Sequence, residues 1–283
     1  MELSVPQFRT SRMQDVPRLK ELWKLAFGDE DDYIDHFFDQ YYTTERMLVL
    51  EEQGVVQAMT AWFDMPLVTR EGVQWPSAYL YAVATYPECR GRGLAGQLLA
   101  FADQWLRENG FACVTTVPAR PDLHRFFGRN GFAEQFSLMR EEYLPRSGEK
   151  PVPLNRVETP EYNVLREKAL AGVPHVAYAT EALDYQAGVC ALSGGGLYRV
   201  GERGCACVEV AGEDVFVKEL LVAEEEREAA LTAIAQEHPA KSYQVRTPYV
   251  GQGEKWEFAM IKWLTPEPEW GGQENAYLGL AFD

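Results

Sequence analysis

Apolar and polar positions alternate along this chain first with a helical period and then with a strand period. Val16, Leu19, Trp23, Ala26 and Phe27 fall on one face of a helix. Asp15 reads as its N-cap and Pro17 as a first-turn residue. Tyr33, Ile34, Phe37 and Phe38 predict a second, short helix. Gln7, Phe8 and Arg9 read as a short strand, and 47–50 with 55–59 as a hairpin around Glu51, Glu52, Gln53 and Gly54. Residues 78–85 form a mostly apolar run of strand length. A helix follows with Leu94, Leu98, Phe101, Ala102 and Trp105 on one face, closed by Gly110. Residues 112–117 predict a strand, Pro121 opens a helix carrying Leu123, Phe126 and Phe127, and 136–139 predict a further strand. The order β-α-α-β-β-β-α-β-α-β predicts a mixed α/β layer.

Residues 145–159 include Pro145, Gly148, Pro151 and Pro153, a linker composition that predicts a boundary between a first domain, 1–144, and a second, 160–283. Beyond it, 161–169 reads as a helix and 197–200, 205–210 and 215–222 as strands. Residues 224–237 predict a strong helix, and 243–246 and 258–263 two more strands. Strand 79–85, helix 94–108, strand 112–117 and Pro118 are matched in order by 215–222, 224–237, 243–246 and Pro248. This is either a diverged internal repeat or a chance likeness of two ordinary βαβ units.

The 283 residues carry 27 basic and 43 acidic side chains, a net charge of −16 shared almost evenly between the halves. Such acidity argues against nucleic acid as a partner, since phosphate binding needs a basic footprint. With 46% hydrophobic and 12% aromatic residues the chain is of ordinary globular composition. The beginning of the sequence shows no basic-then-apolar leader, and no run of 18 apolar residues occurs, so a cytoplasmic protein away from membranes is expected. Five cysteines without a CxxC pair read as buried reduced thiols, and the four histidines show no metal-ligand spacing, so no metal is expected.

Against this acidic background one segment stands out. The strand at 78–85 runs through Tyr86 and Pro87 into Arg90, Gly91, Arg92, Gly93, Leu94 and Ala95, and then into a helix. Glycines let backbone N–H groups approach an anion, and a helix start adds unpaired donors and a positive dipole end. The physical reading is a phosphate cradle, set against a tight connection with solvated arginines. It lacks the Lys-Ser/Thr of a P-loop and the glycine spacing of a dinucleotide fingerprint.

Ala82, Val83, Ala84, Thr85, Pro87, Arg90, Gly91, Arg92, Gly93, Leu94 and Ala95 together resemble motif A of the GNAT superfamily of N-acetyltransferases, whose R/Q-x-x-G-x-G/A core falls at Arg90, Gly93 and Ala95. The segment 123–132, ending in Gly131 and Phe132, resembles the family's later helix. The resemblance covers about residues 5–143 and implies a GNAT acyl-CoA N-acyltransferase fold, followed here by a degenerate GNAT-like domain. It also resembles tandem GNAT proteins and the enhanced-intracellular-survival type.

This resemblance implies acetyl-CoA as co-substrate and direct transfer of its acetyl group to a primary amine of a small molecule or peptide. Backbone amides of Arg90, Gly91, Arg92, Gly93, Leu94 and Ala95 would hold the pyrophosphate. The backbone of Val83, Ala84 and Thr85 would pair with the pantetheine arm, and the Val83 amide would face the thioester oxygen. Many relatives use a Tyr of a Phe-Tyr pair as the acid, but Phe126 and Phe127 stand here. Tyr79 and Tyr81 are the replacement candidates, against ordinary packed strand tyrosines. In the survival type a C-terminal carboxylate reaches the site, which makes Asp283 a third candidate, against simple packing of the apolar segment before it. Asp29, Glu30, Asp31, Asp32, Asp35 and Asp39 would favour a cationic acceptor or form a solvated helix face. The second domain carries Glu224, Glu225 and Glu226 where the cradle would repeat, so it is not expected to bind CoA. The rival to an enzyme is an acetyl-CoA-binding sensor without catalysis, and a monomer or homodimer fits either.

Overall fold

The computed structural model describes residues 5–145, 148–251, 253–270 and 276–282. The strand β1 (Gln7–Thr10) leads into α1 (Val16–Phe27), which turns Leu19, Leu22 and Trp23 inward. Gly28, at φ 78°, ends α1 in the left-handed region that a glycine adopts without strain. Asp15 precedes α1, but its carboxylate does not cap that helix. It accepts from the Arg12 amide and pairs with Arg9, which also binds Glu51. Next come α2 (Asp31–Gln40), the hairpin β2 (Met47–Glu52) and β3 (Val55–Asp64), the short β4 (Leu67–Val68) and β5 (Gln74–Trp75), and β6 (Ser77–Thr85). Then follow α3 (Leu94–Glu108), β7 (Cys113–Thr116), α4 (Pro121–Arg129) and β8 (Ala133–Tyr143).

The remaining elements are β9 (Leu154–Arg156), α5 (Thr159–Ala169), β10 (His175–Val176), α6 (Thr180–Leu192), β11 (Gly196–Val200), β12 (Gly204–Ala211), β13 (Asp214–Leu221), α7 (Arg227–Glu237), β14 (Ser242–Pro248) and β15 (Trp256–Trp263). The fold is α/β, as the residue pattern predicts.

Contacts divide the chain into two units. The first comprises residues up to Pro66, Trp75–Ala133 and Met260–Pro268. The second comprises Leu67–Gln74, Glu134–Ala259 and the residues from Glu269 onward. Composition places the boundary at 145–159, whereas contacts place it at Ala133 and exchange two short segments between the units. The reason is pairing at long range. Met260 to Trp263 of β15 lie antiparallel to β7, and the Leu264 amide donates to Ala112 O. Conversely, β4 pairs antiparallel with β10 in the second unit.

Within the first unit the sheet runs β1-β2-β3-β6-β7-β15. β6 and β7 are parallel, joined through α3, while the neighbours on either side are antiparallel. The aromatic side chains of Trp23, Phe37 and Phe63 fill the face under α1 and α2.

Within the second unit the sheet runs β8-β14-β13-β12-β11-β9, and β13-α7-β14 repeats the parallel crossover. Val208, Val215, Val217, Leu231, Ile234 and Val245 form its buried centre. Beside them sits a charged group: Arg166 and Glu219, both fully buried, pair at 3.1 Å, and the Tyr162 hydroxyl donates to Glu219 at 2.7 Å. Desolvation opposes the Arg166 charge, and the attraction of Glu219 overcomes it, so the guanidinium titrates above its ordinary value. The segment from Ala276 to Phe282 is buried and docks by isolated bridges, Phe136 with Ala276 and His175 with Tyr277.

Candidate active site

The chemistry-bearing segment begins where β6 leaves its neighbours. Beside β3 the register passes from Tyr81 opposite Ala61 to Ala84 opposite Met59, so Ala82 and Val83 face the single residue Thr60. This is a β-bulge, and Ala82 sits in it at φ 52°, a conformation that costs a residue with a Cβ. Beside β7 the parallel register extends from Ser77 opposite Cys113 to Tyr79 opposite Thr115. β6 thus pairs with β7 over its first third, then kinks and carries Val83, Ala84 and Thr85 beyond that register.

A turn of 3-10 helix, Pro87–Cys89, then delivers Arg90 to Ala95. Gly91 and Gly93 adopt φ 77° and 76°, and Gly93 is the N-cap of α3. No heavy atom lies within 4 Å of where a Cβ on either glycine would stand, so open space lies over this face of the loop. The glycines serve the backbone turn, not internal packing. The start of α3 carries the amide donors and positive dipole end expected of an anion site.

The two arginines are not equivalent. Arg90 donates from Nε to Thr85 O at 3.1 Å, which brings its side chain back over the strand end and engages one backbone carbonyl of the predicted pairing edge. Arg92 makes a bidentate pair with Glu52, at 2.7 and 2.9 Å, and that pairing raises its pKa. Part of the expected positive charge is therefore neutralised by a carboxylate forty positions earlier in the chain. The buried Thr85 hydroxyl makes no hydrogen bond to the described residues, leaving a polar group for an incoming partner.

Of the proton-handling candidates, Tyr79 is buried and Tyr81 half-buried, both on β6 just before the bulge. Trp23 and Phe63 meet the Tyr81 ring edge to face at 5.4 and 5.6 Å, and Phe37 lies 5.9 Å away. The Tyr81 hydroxyl makes a 2.8 Å hydrogen bond with the Tyr33 hydroxyl from α2. Sequence reasoning passed over Tyr33, because nothing local ties residue 33 to residue 81. Phe127 is buried against Phe126 and Phe132 and holds no proton. Asp283 lies outside the described residues.

The acidic segment is partly consumed by packing. Asp29 accepts from the Trp23 indole, Asp31 from Lys24 and Asp35 from Lys20, which ties α2 to α1. No cluster of three or more metal-ligating side chains occurs among the described residues. No described helix is long and apolar enough to cross a membrane.

With this geometry, an acetyltransferase (GNAT) domain model matches residues 7–133. Residues 7–133 are thus similar to a GNAT acetyltransferase domain, over somewhat less than half of the chain. No curated protein matches the sequence. Among solved structures, a GCN5-related N-acetyltransferase from Anabaena variabilis has 16% identity and a TM-score of 0.71, covering 92% of this chain and 73% of that one. One from Kribbella flavida has 17% identity and a TM-score of 0.69, over 92% and 72%. Eis1 from Mycobacterium abscessus has 12% identity and a TM-score of 0.66, over 92% and 74%. These likenesses reach beyond the GNAT domain into the second unit and concern the fold.

In the second unit, the end of β13 and the residues before α7 border a cavity of about 850 Å3. Leu220, Val222 and Pro248 line it with Glu224, Glu225 and Glu226. The residues between β13 and α7 include no glycine, and Lys168, Arg203 and Arg227 line the same cavity beside the three carboxylates.

Proposed function

We propose that the chain transfers an acetyl group from acetyl-CoA to a primary amine, with binding of CoA and transfer both located in the GNAT domain. The observation that carries this reading is the pairing of the Ala82 bulge with the Gly91–Gly93 turn at the start of α3. One bends the backbone where a thioester would lie, the other where a pyrophosphate would lie, and both occur on one continuous segment.

Acetyl-CoA, when bound, supplies the acyl group as a thioester. Amides of Arg90, Gly91, Arg92, Gly93, Leu94 and Ala95 are assigned to its phosphates, and the backbone of Val83, Ala84 and Thr85 to its extended arm. The Val83 amide is assigned to the carbonyl oxygen, where a fixed donor stabilises developing negative charge. Tyr81, and behind it Tyr79, is assigned to proton handling, because Phe127 has no proton to move. A cationic acceptor draws its support from Glu30, Asp32 and Asp39, because Asp31 and Asp35 are already engaged with lysines.

The test is release of free thiol from acetyl-CoA with a panel of primary amines that includes polyamines and aminoglycosides. Amine-dependent release is expected. Tight CoA binding without acceleration by any amine would instead favour the sensor reading.

The Arg92–Glu52 pair yields a further expected result. Glu52→Gln releases Arg92 toward the anion, so CoA binding should tighten by about two- to threefold, a small effect because exposed pairs are screened. Titration calorimetry at low and high salt measures it, and the gain should shrink with salt. Weaker binding would mean that Glu52 holds Arg92 in place for the ligand.

A further inference from the structure

Direct transfer leaves one step to the protein. The amine nitrogen bonds to the acyl carbon, the C–S bond breaks with its electron pair going to sulfur, and the surplus N–H proton must leave. A phenol at neutral pH is a poor base in isolation, because its ordinary pKa is about 10. Two phenols in contact avoid that difficulty. If one oxygen accepts a proton while its own proton passes to the next oxygen, no phenolate accumulates.

Tyr33 and Tyr81 have this arrangement. Their hydroxyls are 2.8 Å apart, within normal O–H···O range. Tyr81 immediately precedes the bulge at Ala82, and its ring is fixed by Trp23, Phe37 and Phe63. Tyr33 is half-buried on α2 between exposed Asp32 and buried Ile34, so the hydroxyl pair joins the strand β6 to the helix that covers it.

We propose that the Tyr33–Tyr81 hydroxyl pair is a two-residue proton conduit from the acceptor amine to solvent, with Tyr33 as the positioning and relay residue behind Tyr81. The Tyr81 oxygen takes the surplus amine proton as its own proton moves to the Tyr33 oxygen, and Tyr33 gives its original proton to water. Water returns a proton to the released sulfur. The products are amide and free thiol, both tyrosines end neutral, and no further reactant is needed.

This inference rests on the proposed acetyl transfer, and the experiment separates the two. Single-turnover rates of the wild-type chain are measured in mixtures of H2O and D2O. Three protons in flight, one from the amine and one from each tyrosine, give a bowed dependence on deuterium fraction. Tyr33→Phe should slow the step roughly tenfold and make the dependence linear, and Tyr81→Phe should slow it roughly a hundredfold, the scale of one lost acid–base group. Affinity for acetyl-CoA should stay within about twofold in both, as neither hydroxyl belongs to the cofactor cradle. A wild-type chain that turns over with a linear dependence overturns the conduit alone, whatever the variants do. So does a Tyr33→Phe chain that keeps the wild-type rate and the bowed dependence. No turnover with any amine overturns the transferase reading and the conduit with it.

Discussion

Replacing Gly93 with valine is expected to remove CoA binding, raising Kd by a hundredfold or more, about 2.7 kcal/mol at that ratio. Gly93 holds φ 76° as the N-cap of α3, and a β-branched residue is a severe outlier there. Space is not the obstacle, because no heavy atom lies within 4 Å of the built Cβ. The cost is backbone strain, on the order of 1–3 kcal/mol, which the loop relieves by turning its amides out of register. Binding suffers because several donors move together. Gly93→Asn is the control, since asparagine tolerates the left-handed region. It should retain most of the affinity. Thermal stabilisation by CoA reads both variants, because a ligand at a hundred times Kd adds about 2.7 kcal/mol to the folded state. A valine variant stabilised by CoA as strongly as wild type would place the phosphate site elsewhere.

Glu219→Ala should be the most destabilising single change in the second unit. It leaves the Arg166 guanidinium buried with its main partner gone and removes the acceptor of the Tyr162 hydroxyl. Breaking one side of a buried ion pair costs about 3–5 kcal/mol. For a unit of this size each kcal/mol lowers the melting midpoint by about 2–4 °C, so a fall of roughly 10 °C is expected by calorimetry. Glu219→Gln should cost less, because the amide oxygen still accepts from Arg166 and Tyr162. The local geometry adds a second route to the same result. A Cβ at Gly279 would stand 2.6 Å from Glu219 Oε1 and 2.2 Å from the Tyr277 hydroxyl, so the segment docked there is fitted closely around this carboxylate. A Glu219→Ala midpoint within about 2 °C of wild type would show that Arg166 finds compensation, and its 4.4 Å stacking on the Tyr178 ring would be the first place to look.

The local elements of the GNAT domain were legible because each rests on near neighbours in the chain. The 3.6-residue spacing of Leu19, Trp23 and Phe27 and the turn residues around Gly54 act over a few positions, and α1 and the β2–β3 hairpin stand where they predict. α6 was missed for a physical reason. Ala182, Leu183, Tyr185, Gln186, Val189 and Cys190 are all buried, so packing against α5, β11 and β12 leaves little of the one-sided pattern that betrays a surface helix. β15 was recognised as a strand, but its partner was not, because periodicity reports a face and not a neighbour.

The same division holds at the candidate site. The sequence by itself determined the glycine turn, since positions 91 and 93 hold a backbone conformation that glycine adopts without penalty and that most residues resist. It also determined that position 127 holds a phenylalanine, which has no acidic proton, and that Glu224, Glu225 and Glu226 stand before α7. Only the tertiary structure decided that Ala82 bends into a bulge, that Glu52 occupies Arg92, and that Tyr33 meets Tyr81 across forty-eight positions. These are contacts between segments whose separation along the chain carries no local steric signature. They arise when burial of apolar faces, under α1 and α2 and under α3, brings the strands and helices together.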